Sequence, residues 1–160
     1  MTRQQALNRI WKRLLIILLT LLIASVGVFY LGSDARVPSL VFLAGNVGAY
    51  VGIHRGLGDL KDHEVGDLAD SWLGLVVPSF VGGILAFVLY SLFISTIIAG
   101  QLFPVFLPDT NAVRPANIEM VMHQHLANPQ DYAKLFFWSF IAGFNQKYVV
   151  GIIESIKAKP

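Results

Sequence analysis

The chain has 160 residues, enough for one domain. It is 55% hydrophobic and only 14% charged, against ~25% charged in soluble domains, so lipid is the indicated solvent. A net charge of +2 is too small to argue for direct nucleic-acid binding, and the lack of cysteine excludes disulfides, thiolate nucleophiles and thiolate metal sites.

The opening stretch, TRQQALNRIWKR, predicts an interfacial helix running into a first span. Leu7, Ile10 and Trp11 share one face at i, i+3, i+4, and Arg3, Arg9, Lys12 and Arg13 suit an anionic inner leaflet. Residues 14–33 carry no charge over 20 positions, the length of a membrane-crossing helix. The run exceeds the ~7–15-residue apolar region of a signal peptide, and no small-x-small cleavage site follows it. An anchored first helix is therefore expected.

A second span is expected at residues 37–53, 17 positions without charge. Gly48 and Gly52 form a Gly-x-x-x-Gly pair, and Gly45 and Ala49 a small-x-x-x-small pair, faces that let helix backbones approach closely in lipid. Asn46, a carboxamide in hydrocarbon, should face another helix or a pore. The loop at 54–71 contains RGLGDLKDHEVGDLAD, with the charged residues Arg55, Asp59, Lys61, Asp62, Glu64, Asp67 and Asp70. No EF-hand spacing and no hydrolase pair is present. It reads as a solvated loop or as a docking surface for a basic cytosolic partner.

Residues 71–108 are uncharged over 38 positions, which as one helix would be ~57 Å, too long for a ~30 Å core. Gly100, Pro104 and Pro108 should end it, placing a third span at 72–98 with Pro78 as a kink. Ser79, Gly82, Gly83 and Ala86 make another small face. Ser91, Ser95 and Thr96 should bond within their own helix. In the loop at 101–134, Ile118, Val121, Met122 and Leu126 recur at helical spacing behind a cap at Asn117. His123 and His125 are spaced for a strand rather than a helix, and no third ligand falls on their side. They read as a polar surface face, with a pH or metal sensor as the alternative. Asn128-Pro129 should open a fourth helix.

The fourth span, 135–156, is interrupted by Asn145, Gln146 and Lys147, with Gly143 a place to bend. Lys147 can snorkel to the inner face, or the span can end near Asn145 and continue along the interface. Alternatively the three residues form a helix contact, polar ring or gate. Asn145 is too short to snorkel and most needs a partner.

Arg3, Arg9, Lys12, Arg13, Arg55, Lys61, Lys157 and Lys159 fall on one side of the four spans, and only Arg36, Arg114 and Lys134 on the other. The bias predicts both termini in the cytoplasm of a bacterial inner membrane. No Walker loop, Gly-x-Ser-x-Gly elbow or His-Glu-x-x-His pair is present, so no enzymatic activity, cofactor or metal is expected.

Three stretches together, GNVGAYVGIHR, PSFVGGILAFVLYSLFIST and FIAGFNQKYV, resemble small four-helix bacterial inner-membrane proteins whose last span carries an Ala-Gly-Phe-polar-charged-basic signature. Some proteins of this build are membrane subunits of antiphage defence systems such as Kiwa, working with a cytosolic protein. The usual signature has Glu where this chain has Gln146, which argues against an acid–base pair there. The expectation is thus an all-α protein of four transmembrane helices with a helical outer loop, homo-oligomeric through its small faces. It would serve as a membrane sensor or scaffold that recruits a cytosolic partner. The alternative is an oligomeric ion channel lined by Asn46 or by Asn145, Gln146 and Lys147.

Overall fold

The computed structural model describes residues 3–28, 30, 33–107 and 125–146. They form α1 (Arg3–Val28), α2 (Ser33–Gly56), a 3₁₀ turn (Leu57–Asp59), α3 (Asp62–Asp70), α4 (Leu73–Ile94) and α5 (Pro129–Phe144), with no strands among the described residues. Three helices are long and apolar enough to cross a membrane: α1, α2 from Arg36 onward, and α4. The short helix expected around Ile118 and Met122, its cap Asn117, His123, and everything from Lys147 on lie outside the described residues.

The elements differ from the expected spans for local reasons. No Pro or Gly interrupts the chain before Gly27, so the interfacial stretch and the first span are one continuous 26-residue helix. The acidic loop is not a solvated coil: nine of its residues form α3. The Lys61 backbone N–H donates to the Glu64 carboxylate at 2.7 Å, which caps the helix start, and Val65 and Ala69 bury one face of it. Helix α4 stops four residues before the predicted Ile98, at Ile94. Ser95 becomes its C-cap and Thr96 turns to φ 57°, a conformation that β-branched residues resist. Helix α5 opens as expected, with the Asn128 side chain accepting from Asp131 N–H at 3.1 Å and Pro129 in the first turn.

Helices α2, α4 and α5 all pack on one another, with α2 against both of the others. Glycine makes this possible. A Cβ on Gly143 of α5 would collide with the Gly45 carbonyl oxygen and come within 2.9 Å of Ala49 N. A Cβ on Gly82 of α4 would stand 2.7 Å from the same carbonyl and 2.6 Å from the Ala49 Cβ. Gly48 abuts the Phe140 carbonyl, and a Cβ on Gly52 would come within 3.0 Å of the Phe144 carbonyl. Three backbones therefore meet around Gly45 with no room for a methyl group. The small faces are consumed inside one protomer, so they give no argument for an oligomer.

Two apolar clusters sit at opposite ends. One joins Val41, Leu89, Tyr90, Phe93, Leu126 and Leu135; the other joins Ala6, Ile10 and Leu14 of α1 to Leu57, Val65, Ala69 and Leu75. Helix α1 is held through that second cluster, by its first half. Beyond Leu14 its Leu15, Ile16, Leu19, Leu22, Ile23 and Val26 are exposed, as suits a lipid-facing helix. An open apolar groove of about 420 Å³, lined by Ala24, Val28, Phe42 and Phe87 among others, runs between its second half and α2 and α4.

Gly143→Ala should lower the melting temperature in detergent, since overpacking against backbone costs about 1–3 kcal/mol and each kcal/mol moves Tm by about 2–4 °C at this size. Gly27→Ala, into open space on α1, should leave Tm unchanged or raise it slightly.

Candidate functional site

The start of α1, the end of α2, the 3₁₀ turn, α3 and the start of α4 come together at one end of the bundle, along with the C-terminus of α5. At 3.6 residues per turn, α3 divides its acids between two faces. Asp62 and Asp70 turn with Val65 and Ala69 toward α1. There Asp62 pairs with Arg3 at 2.8 Å and Asp70 with Arg9 at 2.6 Å. The basic N-terminus and half of the acidic stretch thus engage each other instead of jointly facing outward. These pairs are largely exposed, so each contributes less than about 1 kcal/mol and mainly sets register.

Glu64 and Asp67 turn to the opposite face. There they line an open cleft of about 560 Å³ whose other walls include Ile53, Leu57, Leu60 and Leu68. Lys61, whose backbone is tied to Glu64, is the N-cap of α3. Asp59 lies in the 3₁₀ turn. Arg55, at the end of α2, places its guanidinium 5.9 Å from the Phe144 ring centroid, which ties α2 to α5. Aromatic residues ring the same end. Trp11 meets His54 edge-on at 4.5 Å, and the Arg13 guanidinium lies 5.3 Å from the Trp72 centroid.

The intramembrane polar residues are separated. Asn46 is buried, and its Nδ2 donates to the Phe42 carbonyl of its own helix at 2.8 Å. Its side chain lies against Gly83, where any Cβ would strike it, so the glycine admits the amide into the α2–α4 contact. At the end of α5, Asn145 is the C-cap and is exposed. Gln146 makes the interhelical bond, with Nε2 donating to the Pro78 carbonyl of α4 at 2.9 Å. The partner that Asn145 was expected to need goes to its neighbour, because Asn145 leaves the helical conformation as the C-cap, at φ −121° and ψ 70°. Lys147 lies outside the described residues. Ser91 and Ser95 bond carbonyls of α4 as expected, Ser79 of the small face does the same, and Thr96 lies past the end of the helix at φ 57°.

Asp131 was not singled out from the sequence. It is 1% exposed and pairs with Lys134 at 3.1 Å, while Lys134 also reaches the Phe103 carbonyl at 3.4 Å. Its signal was an acid in the first turn of a helix opened by Asn-Pro, with a base three residues on. With Trp138 Nε1 donating to Leu102 O at 2.9 Å, this pair pins the segment after α4 across α5. His125 is exposed, and among the described residues no group of three His, Cys, Asp or Glu could hold a metal. No family model matches the chain, and no curated protein or solved structure matches it either.

Asp131→Ala should destabilise the protein by about 1–3 kcal/mol, the cost of leaving a partly buried charged partner unmet, whereas Arg9→Ala should cost less than about 1 kcal/mol. Thermal melts of both variants in one detergent check the order.

Proposed function

We propose that this chain is a non-enzymatic bacterial inner-membrane protein, with both termini in the cytoplasm, that recruits a cytosolic protein through the cleft at its α3 end. The observation that carries the reading is that cleft. It presents two carboxylates, Glu64 and Asp67, among leucine and isoleucine walls, on the side of α3 that α1 leaves uncovered. Its chemistry fits an apolar side chain flanked by Lys or Arg on a partner segment. The orientation rests on charge: Arg3, Arg9, Lys12, Arg13, Arg55 and Lys61 gather at this end, with Trp11 and Trp72 beside them as interfacial residues. In this reading α5 is a fourth crossing. Its 16 residues, ~24 Å at 1.5 Å per residue, return the chain from the Asp131 end to the α3 end.

A membrane subunit of an antiphage complex working with a cytosolic protein is the concrete form, and it rests on the resemblance of the three quoted stretches. The channel reading is less well supported. Asn46 is seated in a helix contact and Gln146 is bonded across to Pro78, so both are committed to packing within the protomer.

A photo-crosslinker at Leu68 should capture one cytosolic protein stoichiometrically in cells. The double variant Glu64→Gln, Asp67→Asn keeps the helix cap and removes both charges, and it should weaken the purified complex about tenfold. Unchanged affinity would sink the cleft as the docking site. A C-terminal reporter found in the periplasm would overturn the orientation, and ion flux from liposomes holding this protein alone would favour the channel.

A further inference from the structure

We infer that Arg13 and Trp72 form a binding site for the phosphate headgroup of an anionic phospholipid. Four bases lie in the first half of α1. Arg3 and Arg9 are neutralised by Asp62 and Asp70 across the α1–α3 seam. Arg13 comes one turn after Arg9, and α3 has ended there: the residues following Asp70 are Ser71 and Trp72, with no further carboxylate. Its guanidinium lies over the Trp72 ring, and its Nη1 is buried with no hydrogen-bond partner among the described residues. An indole face attracts the cation but offers no acceptor to an N–H. Arginine does not shed its charge, so a buried donor of this kind calls for an anionic or strongly polar oxygen that the described residues do not supply.

The position of Arg13 says which oxygen. The next residue, Leu14, is fully buried against the cluster that holds Leu75, and from Leu15 onward α1 presents exposed aliphatic side chains to its surroundings. On the other side, Trp11 and Trp72 are each 44% exposed, as aromatic residues at a membrane interface are. Arg13 therefore sits where hydrocarbon gives way to headgroups. The abundant anion at that depth is a lipid phosphate, which the planar fork of arginine matches with two parallel hydrogen bonds. Trp72 is exposed enough to shift and admit a phosphate oxygen to Nη1, and Lys12 beside it adds charge of the same sign. The site requires that the chain lie in a membrane, but not that it recruit a partner.

The test is thermal unfolding of the full-length protein in a neutral detergent with added phosphatidylglycerol, with phosphatidylcholine, and with phosphatidylcholine plus inorganic phosphate. Phosphatidylglycerol should raise Tm by about 2–4 °C over phosphatidylcholine. Arg13→Gln should lose most of that increment and Arg9→Gln should keep it. Equal protection by the two lipids, or an increment that survives in Arg13→Gln, overturns the site. An increment reproduced by inorganic phosphate overturns the assignment to lipid. Should Arg13→Gln not purify in folded form, a phosphatidylglycerol carrying a photoreactive headgroup can be applied to the unaltered protein. Labelled peptides should contain Arg13 or Trp72, and labelling confined to other positions refutes the proposal.

Discussion

The Gly45 carbonyl, wedged between Gly82 of α4 and Gly143 of α5, is the contact on which the arrangement depends. In lipid, apolar side chains gain nothing by leaving their surroundings for one another, so helix association has to come from close packing and polar contacts. Glycine supplies the closeness, and two amides then use it. Asn46 fits against α4 only because Gly83 has no side chain. Gln146 reaches the Pro78 carbonyl because α5, drawn in by Gly143, delivers its last turn beside α4. A bulkier crossing would displace both and leave them seeking partners in hydrocarbon.

Helix α1 obeys different rules because its anchored half lies at the polar end of the bundle. Ile10, Leu14, Val65 and Leu75 are fully buried, and where water is the alternative each such side chain contributes about 1.5–3 kcal/mol. The Arg3–Asp62 and Arg9–Asp70 pairs contribute at most about 1 kcal/mol each. The apolar seam therefore holds α1 in place and the ion pairs choose its register against α3. Beyond Leu14 most apolar side chains of α1 face outward, with Val28 buried again beside the open apolar groove near Phe42.

Much of this was legible in the sequence, but in unequal measure. Uninterrupted uncharged runs located the three long helices, since length and lack of charge are properties of a segment alone. The glycines declared a packing face but not its partner: a Gly-x-x-x-Gly pair reads the same whether the neighbour is in the same chain or another. Helix α3 escaped because its cap is built from Lys61 backbone and Glu64 side chain, without the Ser, Thr, Asn or Asp at the cap position that marks a start. Which of the two adjacent amides would find a partner was not legible, because the non-helical turn at Asn145, φ −121° and ψ 70°, redirects the side chains that follow it. Asp131 went unremarked because its partner Lys134 also reaches the Phe103 carbonyl, 31 residues away in sequence, a contact that no local pattern encodes.

The two ends of the bundle are finished differently, and this bears on which of them can change. At the Asp131 end the charged pair, the Trp138 bond and the tilted rings of Phe93, Phe103 and Trp138 engage one another. At the other end, α3 is a nine-residue helix joined to α1 by one seam, and its opposite face is open. An occupant of the cleft would press on Glu64 and Asp67 while Asp62 and Asp70 remain on α1. Because all four acids ride on one rigid helix, any rotation of α3 toward the cleft must draw on the Arg3 and Arg9 pairs, the weakest contacts in the seam.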